Sequence, residues 1–319
     1  MAESDSRIRV PHDRRNHPAL KRFAVRQTYS TYMDWHALHE GESSKLLELA
    51  NRYKLHPLHI EDCQHGDQNA KVEDGETYLF FVLKPVHTQA DDAVTFGDFD
   101  VFLGPDFLIT YEETGCEKLR ALVDKFKGNE ALTNDQIFYR IFDGIVDSYL
   151  PVLRAYGDQI DEIEDQVLED PKPDLLSSIF SLKRNFIELR HVLNQTRDVA
   201  SHLMRSEQEL LSPKLSPYFR DVYDHLTRAI ETVEMSRDLL SGALDIYLSS
   251  LSNRTNQTMK VLTLLSTIAL PSVATSSIFG MNFEFMPWIH APNGLLYAAA
   301  TSLSITILLL VFLRSRRWI

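Results

Sequence analysis

Two stretches of this chain carry side chains whose types and spacing could do chemistry. In the first, His56, His59, Glu61, Asp62, Cys63 and His65 lie close together. Imidazole, carboxylate and thiolate all bind metals, yet this spacing matches no zinc pattern. The other account is a helix start that leaves Asp62 exposed. In the second, the hydroxyls of Thr263, Ser266, Thr267, Ser272, Thr275, Ser276 and Ser277 sit in an uncharged apolar run, Val261–Phe279. Hydroxyls in such a setting bond back to their own helix or face another helix or water. Catalysis finds little elsewhere to build with. The chain has no HExxH, GxSxG or GxGxxG motif and no Gly-Lys dipeptide for a phosphate loop. The expectation is a protein that is not an enzyme and uses no nucleotide.

The elements that must position those hydroxyls are C-terminal spans. Val261–Phe279 and Gly294–Leu313 contain no charged residue, and each is long enough to cross a hydrocarbon core of about 30 Å. Arg254 and Lys260 precede the first span, and Arg314, Arg316 and Arg317 follow the second. The intervening loop, 280–293, has no Lys or Arg. The positive-inside rule then predicts both termini in the cytosol. Phe283, Phe285 and Trp288 suit the outer interface, and Trp318 the inner one. The N-terminal MAESDSRIRVPHDRR has no apolar region to act as a signal peptide. The mean hydropathy of −0.20 conceals these spans because the preceding part is polar. Net charge is −12, from 33 Lys and Arg against 45 Asp and Glu. That balance argues against nucleic acid, whose phosphates need basic partners, and suits a protein that handles cations. Cys63 and Cys116 alone make no disulfide framework, so a reducing cytosol is expected for most of the chain.

Ser216-Pro217 reads as an N-cap with proline at the first helical position. Apolar residues then recur at helical spacing from Phe219 to Leu251, and no proline intervenes before Pro271. The pattern predicts one helix from Pro217 to Phe279, about 95 Å long, with about two thirds of it a cytosolic stalk. Pro271 frees the carbonyl of Thr267 and bends the helix. A heptad walk through Asn256, Met259, Thr263, Ser266, Leu270, Val273, Ser277 and Gly280 gives a narrow, mixed stripe. It lines something between several copies of the helix, or it is a plain helix contact face. Upstream, Phe138 to Leu211 reads as helices. One of them buries Ile160, Ile163 and Val167 and turns Asp158, Asp161, Glu162, Glu164 and Asp165 outward, as a solvated face or as a loose cation sink. Residues up to about 135 look mixed α/β. Thr77–Thr88 and Asp98–Glu113 are strand-like, Gly104-Pro105-Asp106 makes a hairpin turn, and SSKLLELANRYKL is a short amphipathic helix.

The residues after the first span carry a resemblance. Phe279-Gly280-Met281-Asn282 is similar to the Tyr-Gly-Met-Asn signature of the CorA-type magnesium/cobalt transporters. HPLHIED, KVEDGETYLFFVLKP, DGIVDSYLPVL, SLKRNFIELRHVL, YFRDVYDH and DIYLSSLSNRTNQTMKVLTLLSTIALP resemble successive parts of that family, so the likeness covers most of the chain. It implies an α+β cytosolic domain followed by a long stalk helix and two C-terminal transmembrane helices, assembled as a funnel-shaped homopentamer in the plasma (cell inner) membrane. The expected divisions are 1–135 for the α/β domain, 136–260 for the helical region and stalk, 261–279 and 294–313 for the spans, 280–293 for the outer loop and 314–319 for a basic tail.

The resemblance also implies roles. Five Asn282 side chains would ring the pore mouth and accept hydrogen bonds from the waters of hydrated Mg²⁺, an ion that dehydrates reluctantly. Gly280 and Met281 would set the backbone there, and Glu284 would concentrate cations. The family's hydrophobic gate maps onto Met259, Leu262 and Leu270, with Asn256 at the inner end. Its regulatory divalent-ion site, between neighbouring cytosolic domains, maps onto Asp62 and Asp221, with Glu61 and His225 beside them. No cofactor is implied beyond Mg²⁺ as cargo and regulator. The expected partners are further copies of the chain, lipid and divalent cations. Phe279 replaces the usual tyrosine, Leu270 stands where methionine is common, and Trp288 follows Met-Pro where many members have Glu. The alternative reading is a Zn²⁺ transporter of the related ZntB type, with or without proton coupling. His290 keeps that open, while FEFMP after the signature argues against it.

Overall fold

The architecture was obtained as a computed structural model that describes residues 34–66, 68–88, 94–112, 117–127, 132–169, 171–205, 210–281 and 292–316. The chain divides into two compact units. One contains the described residues up to Ala155 together with Asn185–Val233, and the other contains Tyr156–Arg184 together with the chain from Glu234 onward.

The first unit is built on a five-stranded sheet of order β1-β7-β6-β3-β2. Its strands are β1 (Asp34–His39), β2 (Lys71–Asp74), β3 (Leu79–Leu83), β6 (Phe99–Leu103) and β7 (Phe107–Glu112). A two-stranded ribbon, β4 (Val86–Thr88) with β5 (Val94–Phe96), is carried between β3 and β6. The Gly104-Pro105-Asp106 turn forms as its residues predict. Gly104 N donates to Phe107 O at 2.9 Å, and β6 and β7 pair antiparallel. The strand-like run 77–88 breaks into β3 and β4 at Lys84-Pro85, where proline has no N–H for a ladder. β1 pairs with β7 in parallel, a long-range contact that no local pattern specifies.

Side-chain alternation along β3 explains how both faces of the sheet are covered. Phe80 and Val82 join Phe102, Ile109 and Tyr111 in a core sealed by Leu46 and Leu49 of α1 (Ser43–Tyr53) and by Ile60 and Cys63 of α2 (Pro57–Gln64). Phe81 points the other way and meets Phe138 of α4 (Asn134–Asp147) at a centroid distance of 4.3 Å. Phe138 and Phe142 in turn face Phe219 of α7 (Ser216–Phe279). A short helix, α3 (Glu117–Phe126), precedes α4. This packing accounts for a difference from the expected boundary at 135. The helices that clothe the sheet come from both sides of that position, so the compact unit extends past it.

The helices predicted upstream of the stalk are α4, α5 (Tyr149–Glu169) and α6 (Pro173–Arg205). Ile160, Ile163 and Val167 of α5 are buried, while Asp158, Asp161, Glu162 and Asp165 are exposed and Glu164 is partly so, as the solvated-face reading requires. A turn of 3₁₀ helix, Pro213–Leu215, leads into α7. That helix runs unbroken for 64 residues and passes through Pro271. The last helix, α8 (Gly294–Ser315), is nearly all apolar.

Candidate ion pathway and cation-binding groups

In the second unit, α7 and α8 are each long and apolar enough to cross a membrane. Gly294, Ala298 and Ser302 of α8 are buried at a spacing of four, and Pro271 is the buried residue of this part of α7. Small side chains at that spacing let two helices approach closely. The Ser272 and Ser302 hydroxyls, 3.2 Å apart, join the two helices.

The heptad stripe lies on a different part of the α7 surface. Asn256, Met259, Leu262, Ser266, Leu270, Val273 and Ser277 are all exposed, and Thr263 is partly so. At the gate positions, 55% of Met259, 57% of Leu262 and 66% of Leu270 is open. Two of the stripe hydroxyls have defined partners. Thr263 Oγ1 donates to Met259 O at 2.8 Å, and Ser266 Oγ donates to Leu262 O at 2.9 Å. Each has spent its proton within the helix and turns only oxygen lone pairs outward. A row of acceptors suits a cation or the waters around one. The helix ends at Gly280, whose N–H reaches Ser276 O at 2.8 Å. A Cβ there would sit 3.1 Å from that same oxygen, so glycine lets the backbone close this last turn. Met281 follows, half exposed. Asn282, Glu284, Phe283, Phe285, Trp288, His290, Arg317 and Trp318 lie outside the described residues.

The remaining candidates fall into two groups in the first unit. Asp62 does not stand exposed at a helix start. It lies near the end of α2, and its Oδ2 is 2.8 Å from Lys71 Nζ on β2. The same ammonium lies 2.8 Å from Glu73 Oε1, and Glu73 Oε2 lies 3.1 Å from His59 Nε2. His59 is buried, stacks on Phe80 at 4.5 Å and shares a 2.8 Å hydrogen bond with Tyr78 Oη. Pro57 at the first position of α2, and His56 Nδ1 accepting from Leu58 N–H, start the helix that places His59 and Asp62 on the sheet. Burial holds the His59 imidazole below its usual range, against the pull of Glu73. Burial also opposes the Lys71 charge, but the hydrogen bonds it donates to Asp62 and Glu73 win and raise its pKa. Glu61 is exposed. Cys63 is buried, and desolvation followed by Asp100 pushes its thiol up.

In the second group, Asp221 Oδ2 and His225 Nε2 of α7 are 3.8 Å apart, with Asp221 well exposed. His225 Nδ1 is buried and has no hydrogen-bond partner among the described residues. Asp143 of α4 belongs here too, although its sequence context did not single it out. Burial raises its pKa, Asp147 and Asp221 add to the rise, and His225 and Tyr139 oppose it. The Tyr139 hydroxyl is pushed up to about 12, by burial first and then by Asp143 and Asp221. The available signal was the spacing of four between Asp143, which is half-buried, and Asp147, which is exposed, on α4. Among the described residues, no three His, Cys, Asp or Glu side chains of one chain come together to hold a metal ion. Glu61, Asp62, Asp221 and His225 are therefore not a single-chain site.

An α/β unit whose chain continues through a 64-residue helix, with two helices long and apolar enough to cross a membrane, is the architecture of a two-span membrane protein. The chain belongs to the CorA-like Mg²⁺ transporter family, whose model matches residues 30–316. It is 34% identical over 277 residues to the cobalt/magnesium transport protein CorA of Thermotoga maritima, covering 84% of this chain and 78% of that protein. Its fold is similar to that of the CorA magnesium transporter of Methanocaldococcus jannaschii, with a TM-score of 0.79 at 22% identity over 89% of this chain and 91% of that one. The cytoplasmic domain of ZntB from Vibrio parahaemolyticus is a more distant likeness, with a TM-score of 0.56 at 11% identity over 69% of this chain and 88% of that one. The protein is thus a member of a divalent-cation transporter family and resides in a membrane.

Proposed function

We propose that the chain assembles as a homopentamer in the plasma (cell inner) membrane and conducts Mg²⁺ inward, with Co²⁺ and Ni²⁺ as further cargo. The observation that carries this reading is the bare stripe of α7. α8 leaves almost the whole membrane end of α7 exposed, Ser266, Leu270, Val273 and Ser277 included, so that this face can pack around an axis, and Asn282 follows three residues after Phe279 in the sequence. Five amide oxygens there would accept hydrogen bonds from the first-shell waters of Mg²⁺, holding the ion without stripping it. Arg254 and Lys260 before the spans, and Arg314 and Arg316 after them, support cytosolic termini. No nucleotide is required, since a divalent ion gains about 4.6 kcal/mol per 100 mV moving inward, a factor of roughly 2,000 in concentration.

Closure falls to the cytosolic acids. The carboxylates of Asp62 and Glu61 of one subunit and of Asp221 of the next, with Asp143 beside it, are hard oxygen donors of the kind Mg²⁺ prefers, and His225 lies next to them. A divalent ion held there would supply the positive charge that lets these carboxylates lie close across a subunit boundary. Without it they repel, the stalks loosen and the pore opens. Ion-specific flux into liposomes containing the purified protein tests the proposal. Mg²⁺ influx that follows an imposed negative-inside potential supports it. Zn²⁺ uptake driven by a proton gradient, with no Mg²⁺ flux, would replace it with the zinc-transporter reading.

A further inference from the structure

We infer that Lys71 is a resident counter-cation at Asp62, which holds that carboxylate until a divalent ion competes for it and so sets the Mg²⁺ concentration at which the pore closes. The inference rests on Asp62 being a regulatory ligand. Lys71 and Asp62 are 27% and 22% exposed and 2.8 Å apart, so solvent screens them less than an open surface pair. A carboxylate that already holds an ammonium is not a free ligand. Asp62 has to exchange one cation for another.

The surroundings make that exchange feasible. Lys71 has a second seat, because its Nζ also lies 2.8 Å from Glu73 Oε1. Glu73 is itself anchored, with its other oxygen 3.1 Å from Nε2 of the buried His59. When Lys71 releases Asp62 it stays on Glu73, and no charge in this partly buried pocket is left uncompensated. An ammonium on a flexible stem, with three rotatable donors, is well suited to moving between two carboxylates. Lys71 also lies 5.9 Å from the centre of the Phe80 ring, which keeps its stem against the core. A monovalent ion that only screens charge gains little by displacing Lys71. A divalent ion that bridges Asp62 to a neighbouring subunit gains a second anchor.

The test uses the purified full-length protein and reads the Mg²⁺ concentration that gives half-maximal protection from protease. Lys71→Met lowers this midpoint by about fivefold. Glu73→Gln raises it, because Lys71 is left with Asp62 alone. Lys71→Arg keeps a cation in place and shifts the midpoint by less than about twofold. The two opposite shifts stand independently, so either decides the matter if the other variant does not fold. An unchanged or higher midpoint in Lys71→Met, or a lower one in Glu73→Gln, overturns the inference while Asp62 remains a ligand. An unchanged midpoint in Asp62→Asn overturns both the regulatory reading of Asp62 and this inference.

Discussion

The sheet-bearing unit and the membrane end of α7 treat polar groups in opposite ways. In the sheet-bearing unit, buried charge is answered inside the chain. Lys84 pairs with Asp98, both less than 8% exposed, and Asp98 also accepts from Gln68 N–H at 2.9 Å. Tyr149 Oη donates to Lys84 O at 2.6 Å. At the membrane end most hydroxyls bond back to their own helix, Ser272 and Ser302 join α7 to α8, and a stripe of mixed polarity stays open. The buried charges of one region are answered within the chain, while the other presents an exposed face that copies of the same helix would complete. Sequence changes should therefore cost stability in the first region and transport in the second.

That contrast can be broken at particular residues. Asn282→Ala should have the largest effect on transport. Phe80→Ala should give the largest loss of stability, about 3–5 kcal/mol, because Phe80 is fully buried between α2 and the sheet. Denaturant unfolding of the purified protein checks it, and the matching change Leu270→Ala, on the bare stripe, should alter flux with little change in that unfolding. Asp98→Asn leaves Lys84 buried without its counter-charge and should cost about 3 kcal/mol, read the same way. Gly280→Ala should cost about 1 kcal/mol, since its Cβ would crowd Ser276 O at 3.1 Å, and should change Mg²⁺ flux more than melting temperature. The smallest effect is one of pH. The Tyr53 hydrogen bond is the main reason the Asp34 carboxyl titrates below its ordinary 3.8. Its stabilising contribution is complete above that pH and is lost as pH falls through the lowered folded value. Asp34→Asn should lower stability slightly at pH 7 and flatten the acid limb in that window, so that the variant and wild-type curves converge at low pH.

The membrane half was legible because its signals are local. Only Pro217 and Pro271 interrupt the long apolar periodicity, and the spans announce themselves by their lack of charge. The hairpin at Gly104-Pro105-Asp106 was legible for the same reason. What stayed hidden depends on contacts between distant elements. The parallel pairing of β1 with β7 joins Asp34 to Phe107, and no pattern within either strand names the other as its partner. Asp62 looked like a free acid because the lysine that holds it arrives on another element. Asp143 carries no sequence signal that names Asp221 or His225, which reach it from another helix. Charges are easy to count along a chain, but their partners are set by the fold.

The most direct measurement is Mg²⁺ influx into liposomes at a fixed negative-inside potential, comparing wild type with Asn282→Ala after both are confirmed to have the same oligomeric size. The account predicts that the variant's influx falls to the level of empty liposomes while the assembly is retained. Wild-type influx through an intact Asn282→Ala assembly would contradict it.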